Sequence, residues 1–143
     1  MRFAYPVQLT PEPDGSAINV SFPDVPEALT FGDSEAEAMA LAEDCLIAAL
    51  RAHVRLRRPI PAPSPADGRP LVRLPSLAAA KLLLYSAMRD FGLDPAGLAQ
   101  RLAIDEAEVD RLLDLDHRSH IEGIERALAA LGLELEVIAR DAA

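Results

Sequence analysis

The residues able to do chemistry are few and scattered. His117 and His120 stand three apart in DLDHRSHIE (114–122), a spacing that could hold a metal on a helix, yet no third ligand accompanies them. A solvated or phosphate-facing loop is the simpler reading. His53 lies in the basic run RAHVRLRR (51–58), with no serine or cysteine beside it in sequence. Cys45 is the only cysteine, which excludes an intramolecular disulfide and a Cys-based zinc site. Among Ala42, Leu46 and Ala49 it reads as a small buried hydrophobe. Two-metal hydrolysis needs several convergent carboxylates, and Asp24, Asp33 and Glu37 converge with no other acid in any evident pattern. The seven glycines are scattered as turns and stops, with no Gly-rich phosphate loop. A non-enzymatic protein with no cofactor and no metal is expected.

Charge points to recognition instead. The 143 residues carry a net charge of −9, which disfavours nonspecific binding to nucleic acid and favours a basic partner. Residues 71–93 hold three basic and one acidic residue and form the only net basic segment. Residues 94–143 hold five and twelve. No apolar run reaches the ~18 residues of a membrane span. The first thirteen residues lack the hydrophobic centre of a signal peptide. A cytoplasmic protein is expected.

The elements that must position these residues fall in two halves, an α+β half and a helical half. Residues 2–9 read as a strand, PEPDGS (11–16) as a turn, and 17–22 as a second strand with Ile18, Val20 and Phe22 alternating. An antiparallel hairpin follows, ended by Pro23 and Pro26, neither of which can donate to a ladder. Residues 30–32 add a short third strand. Ser34 and Glu37 have the spacing of a capping box, each able to satisfy the other's backbone N–H. A helix then carries one apolar stripe, Met39, Ala42, Leu46, Leu50 and Val54, to lie on the sheet. RPIPAPSPADGRP (58–70) has five prolines in thirteen residues and reads as an extended, solvent-exposed linker. Residues 71–74 return as a strand. The expected domains are 1–75 and 76–143.

The second half starts with a helix over LAAAKLLLYSAMRDF, stopped at Gly92. Asp94-Pro95 places an N-cap before a proline at the first helical position. Asp105 and Glu108 repeat the capping spacing before a third helix. Two short helices joined this tightly suggest a helix-turn-helix. Its second helix exposes Glu106, Glu108 and Asp110, with Arg111 as its only cation. Phosphates repel such a face, although a glutamate can accept from cytosine N4 in the major groove. Cations elsewhere, namely Lys81, Arg101, Arg118, His117 and His120, would have to supply affinity. A fourth helix runs over about 119–131. LELEVIA (133–139) alternates as a terminal strand, Glu134 and Glu136 facing solvent, able to pair across a two-fold axis.

With these residues in view, the chain resembles the HicB-type antitoxins of bacterial toxin–antitoxin pairs. The resemblance rests on YPVQL (5–9), DG (14–15), SFPDVPEALTFGDS (21–34), EAMALAEDCL (37–46) and PIPAPS (59–64). It continues through LPSLAAAKLLLYSAMRDFGL (74–93), LAQRL (98–102) and VDRLLD (109–114), nearly the whole chain. It implies a truncated RNase H-like β-β-β-α-β domain that binds HicA, a small basic toxin that cleaves mRNA and uses a histidine, and blocks its RNA-facing surface. It also implies an operator-binding helix-turn-helix domain acting as a homodimer or homotetramer. The first strand, RFAYPVQL, carries no acid, against nuclease activity in such a fold. Tyr5, Phe22, Asp24, Pro26, Thr30 and Asp33 become candidate toxin contacts, with core packing the alternative for Tyr5 and Phe22 and a helix-entry turn role the alternative for Asp33. Arg101, Glu106, Glu108, Arg111, Arg118 and His120 become candidate DNA contacts. The rival function is an acidic interaction module whose C-terminal helices only dimerise.

Overall fold

The computed structural model of the protein describes residues 2–142. The chain divides into two compact units, Met1–Ala79 and Ala80–Ala143.

In the first unit the opening extended run does not stay one strand. It breaks at Val7 into β1 (Ala4–Pro6) and β2 (Gln8–Pro11). Only residues 8–11 oppose β3 (Ile18–Ser21) in register, from Gln8↔Ser21 to Pro11↔Ile18. Residues 4–6 lie beyond the hairpin's reach and need another partner for their backbone groups. β4 (Leu29–Gly32) pairs antiparallel with β3 and completes a sheet in the order β2-β3-β4. Thr10-to-Ala17 is closed by the expected turn, with Gly15 at φ +72°.

Helix α1 (Glu35–Arg55) begins where the capping spacing predicts. Glu37 N–H donates to Ser34 Oγ at 3.1 Å. The return bond goes to Asp33 N–H at 3.3 Å, one residue earlier than the expected capping box. The stripe is also displaced. Ala38, Ala42, Leu46, Ala49 and Leu50 are buried, and Met39 and Val54 sit half-buried at its margin. The reason is close approach. A Cβ on Gly32 would stand 2.5 Å from the Ala38 backbone nitrogen, so β4 and the first turn of α1 meet only because residue 32 has no side chain. Small residues along the buried stripe extend that fit. Val20, Phe22, Val25 and Leu46 are all at most 1% exposed. Each such side chain contributes about 1.5–3 kcal/mol of burial. Cys45 is half-buried, and burial pushes its thiol up from the ordinary value.

β5 (Leu71–Arg73) is the partner that β1 lacks. The two pair antiparallel, Ala4↔Arg73 to Pro6↔Leu71, and the ladder extends through Val7 N–H to Pro70 C=O at 3.0 Å and Leu74 N–H to Phe3 C=O at 3.1 Å. The proline-rich stretch is therefore no linker between the units, although most of its residues are exposed as expected. It runs within the first unit as a strap, with Ile60 buried. The fully buried Tyr5 sends its hydroxyl to Pro61 C=O at 2.7 Å. Prolines remove donors from the strap, so its carbonyls must be met from the body of the unit. Arg69 closes the strap's last turn, with Nε on Ala66 C=O and a second guanidinium nitrogen on Pro65 C=O, both at 3.0 Å.

Helix α2 (Ser76–Asp90) starts in the first unit and continues into the second. After Gly92 (φ +66°) come α3 (Pro95–Leu102), α4 (Glu106–Leu113) and α5 (Ile121–Ala130). Asp94 caps α3 as expected, its carboxylate accepting from Gly97 N–H at 2.7 Å ahead of Pro95. Asp105 is the N-cap of α4 but makes no side-chain capping bond, so the second capping box is not formed. Leu82, Leu84, Leu98, Val109, Ile124 and Ala127 form the core of this unit. Residues 133–142 are not a strand in the chain on its own. A strand needs a ladder partner, and LELEVIA has none within the described residues; Val137 and Ile138 are 84% and 68% exposed. No helix among the described residues is long and apolar enough to cross a membrane.

Burial first, and the Asp24 charge second, push the Tyr5 phenol well above its ordinary 10.0. The unfolded phenol ionises near pH 10, whereas the folded one stays neutral. The stability tied to neutral Tyr5 is complete below pH 10 and is lost as pH rises above it. Tyr5→Phe should cost about 1 kcal/mol at neutral pH through the missing Pro61 bond. Between pH 10 and 12 the gap to wild type should shrink, because only wild type carries that alkaline loss. Urea unfolding followed by circular dichroism across this range checks both halves.

Candidate functional site

The first candidate surface is the corner that joins β3 to α1. Two successive turns shape it, Val25 N–H on Phe22 C=O at 3.1 Å and Ala28 N–H on Val25 C=O at 2.9 Å. Pro23 and Pro26 stand exposed at the turns. Asp24 is half-buried and turned toward the strap, its carboxylate accepting from Ser64 N–H at 2.8 Å and from the Ser64 hydroxyl. Glu27 lies against His53 Nε2, and His53 Nδ1 donates to Pro59 C=O at 3.0 Å. The Glu27 carboxyl is lowered from its ordinary value, chiefly by its own backbone N–H and then by His53.

Tyr5 and Phe22 are 0% and 1% exposed. They form the layer beneath the corner, and the core-packing alternative describes their place. Thr30 is half-buried and shares the α1 side of the sheet with Val20, its cross-strand neighbour. Pro26 and Asp33 are the candidates left fully at the surface. Leu29 and Phe31, which the sequence reading passed over, are 66% and 62% exposed. Their alternation with Thr30 along the strand was the signal available.

The second candidate surface is the α3–α4 pair. Three residues join the helices, with Ala103 left-handed at φ +55° and Ile104 N–H closing back on Ala99 C=O at 3.1 Å. Arg101, Glu106, Glu108, Asp110, Arg111, Arg118 and His120 are all exposed. Val109 and Leu113 turn inward. Lys81, expected among the phosphate-facing cations, is instead 1% exposed. Its ammonium donates to Arg111 C=O at 2.8 Å and Ser119 Oγ at 2.7 Å. A cation set against the last turn of α4 also suits the negative end of the helix dipole. Burial lowers the Lys81 pKa, opposed by Asp114. Ser119 is the hub: its hydroxyl donates to Arg111 C=O at 3.2 Å and accepts from His117 Nδ1 at 2.9 Å. This network fixes the loop that carries Arg118 and His120. His117 and His120 lie outside any helix, with His120 as the N-cap of α5.

A family model described as a HicB-like antitoxin of bacterial toxin–antitoxin systems matches residues 4–83, which include the corner, the strap and both sheets. The chain belongs to the HicB-like antitoxin family. The similarity runs through the second unit as well. Antitoxin HicB 2 of Photorhabdus laumondii is 42% identical over 135 residues, 94% of this chain and 95% of the relative. Antitoxin HicB of Escherichia coli K12 is 38% identical over 135 residues, 94% and 97% of the two chains. Antitoxin HicB of Pseudomonas fluorescens is 37% identical over 134 residues, 92% and 90%. The names are those of regulatory antitoxins, not of enzymes.

Lys81→Ala should destabilise the second unit by roughly 2–4 kcal/mol, through the lost packing of its buried stem and the loss of two charge-assisted bonds. Lys81→Met keeps the stem and should recover part of that loss. Thermal unfolding of the three proteins separates packing from hydrogen bonding.

Proposed function

We propose that the chain is an antitoxin that binds and blocks a small, basic, HicA-like mRNA-cleaving toxin and represses its own operon by binding operator DNA. The observation that carries this reading is similarity to proteins named antitoxin HicB over both units, not the first alone. The first unit takes the toxin. With β1 and β2 read as one strand broken at Val7, the order of β1 to β4, α1 and β5 follows the β-β-β-α-β pattern of a truncated RNase H-like domain. Pro26 and Asp33 meet the toxin directly. Asp24 and Thr30 hold the surface in shape, over Tyr5 and Phe22. Opposite net charges speed encounter and disfavour wrong partners. Occlusion of the toxin's RNA-facing surface is the mechanism, in the cytoplasm where mRNA is found.

The second unit reads the operator through a helix-turn-helix, with α4 as the recognition helix. Glu106, Glu108 and Arg111 face base edges, and Arg101, Arg118 and His120 face phosphates. Two half-sites about one helical turn apart require a dimer or a dimer of dimers. Exposed Leu133, Val137 and Ile138 at the C-terminus suit pairing of the LELEVIA segments of two copies. One observation favours the rival reading, in which these helices only dimerise: the face of α4 is acidic and the buried Lys81 adds no charge to it.

Coexpression should restore growth of cells making the toxin encoded beside this gene, and purified protein should stop RNA cleavage by that toxin. A gel shift with upstream DNA should weaken steeply as salt rises. Arg101→Gln and Arg118→Gln should each flatten the slope by about one; a salt-insensitive or absent shift selects the dimerisation-only reading. Removing residues 133–143 should halve the mass seen by light scattering, and an unchanged mass would rule out pairing through this segment.

A further inference from the structure

Among the described residues, no other element of the first unit covers the outer face of its larger sheet. Antiparallel register sets Leu29 beside Ser21 and Phe31 beside Asn19, on the side opposite Val20, Thr30 and α1. Leu29 and Phe31 are 66% and 62% exposed, two residues apart on one strand. That strand, β4, is also an edge, paired with β3 on one side and with no strand on the other among the described residues. Folded proteins usually blunt such an edge with charge, proline or a bulge. Here the edge carries a leucine and a phenylalanine, an arrangement that suits a covering partner.

Charge decides which partner. Residues 3–50 contain nine acidic residues and no lysine or arginine. All of β2, β3 and β4 lie within that stretch. Glu12 reaches this face directly, accepting from Asn19 Nδ2 at 2.6 Å, while Glu27 and Asp33 flank the two ends of β4. Two copies set face to face would bring like charges together. Nucleic acid and anionic lipid meet the same repulsion.

We propose that the outer face of the β2-β3-β4 sheet, anchored by Leu29 and Phe31, is the surface on which the cationic toxin docks, its backbone adding to the free edge of β4. This rests on the antitoxin reading above. The face is apolar at its centre and acidic at its rim. The anchors therefore govern how long the complex lasts, and the rim governs how fast it forms.

The test uses the full chain and the toxin encoded beside the gene, inactivated at its catalytic histidine, with affinity measured by calorimetry and rates by surface plasmon resonance. Leu29→Ser combined with Phe31→Ser should lose about tenfold or more in affinity, mainly through faster dissociation, with circular dichroism and thermal midpoint unchanged. Asp33→Asn should slow association and reduce its salt dependence while leaving dissociation close to wild type. The single variants are measured alongside, so a double variant that fails to fold still leaves two readings at surface positions. Wild-type affinity in the single and double variants overturns the docking face while the antitoxin reading stands. A variant that changes the oligomer's mass but keeps toxin affinity overturns it in favour of a second copy. Failure of the wild-type chain to bind the toxin overturns the antitoxin reading itself.

Discussion

The first unit depends on bringing the chain back from the far end of α1 to the edge of β1. Helix α1 has 21 residues and so carries the chain roughly 30 Å away from the sheet end where it began. Without β5, residues 4–6 would be extended backbone with no ladder partner on either side among the described residues. A polyproline-like strap rises about 3.1 Å per residue, enough to span the return in the residues available. Its stiffness lowers the entropy lost on ordering, but its prolines deprive it of donors. Three tethers hold it: Tyr5 and His53 donate to the Pro61 and Pro59 carbonyls, and Asp24 accepts from Ser64 N–H. Each tether arises from a different element: β1, the last turn of α1, and the corner after β3.

This arrangement reassigns the corner SFPDVPEALTFGDS. Asp24 faces the strap and Phe22 fills the core, so these two residues of the corner are structural. Gly32 is in the same class, present because α1 comes within bonding reach of where a side chain would stand. The same stretch exposes Leu29 and Phe31 on the sheet face opposite the core. In the second unit a buried lysine similarly fixes the end of α4 rather than meeting a ligand.

Local signals were legible wherever they are set by one turn of chain. Ser34 and Asp94-Pro95 start helices, and Gly15, Gly92 and Gly132 take the left-handed backbone that their positions in turns and stops demand. What depends on distant residues was not legible. The break at Val7 follows from where residues 18–21 end and residues 71–73 arrive, and neither is encoded near Val7. Displacement of the α1 stripe from Met39 to Ala38 follows from the crossing at Gly32. Lys81 had a usable signal: it is the sole lysine and lies in the otherwise apolar run LAAAKLLLYSAM. A lone cation there is costly unless its bonds are met, and Ser119, thirty-eight residues later, meets one of them. The tail was misread because alternation describes what a strand would look like, not whether anything stands beside it.

Antiparallel pairing of Ala4 with Arg73 also orders events at the ribosome. The hairpin, its third strand and α1 are contiguous in sequence, so their mutual contacts become available early in synthesis. The N-terminal strand emerges first, yet its partner is among the last parts of the unit to be made. Closing so long a loop carries an entropic cost that short-range contacts do not. Translation must deliver residue 73 before that final ladder can form, and until then the nascent chain holds its oldest segment unpaired.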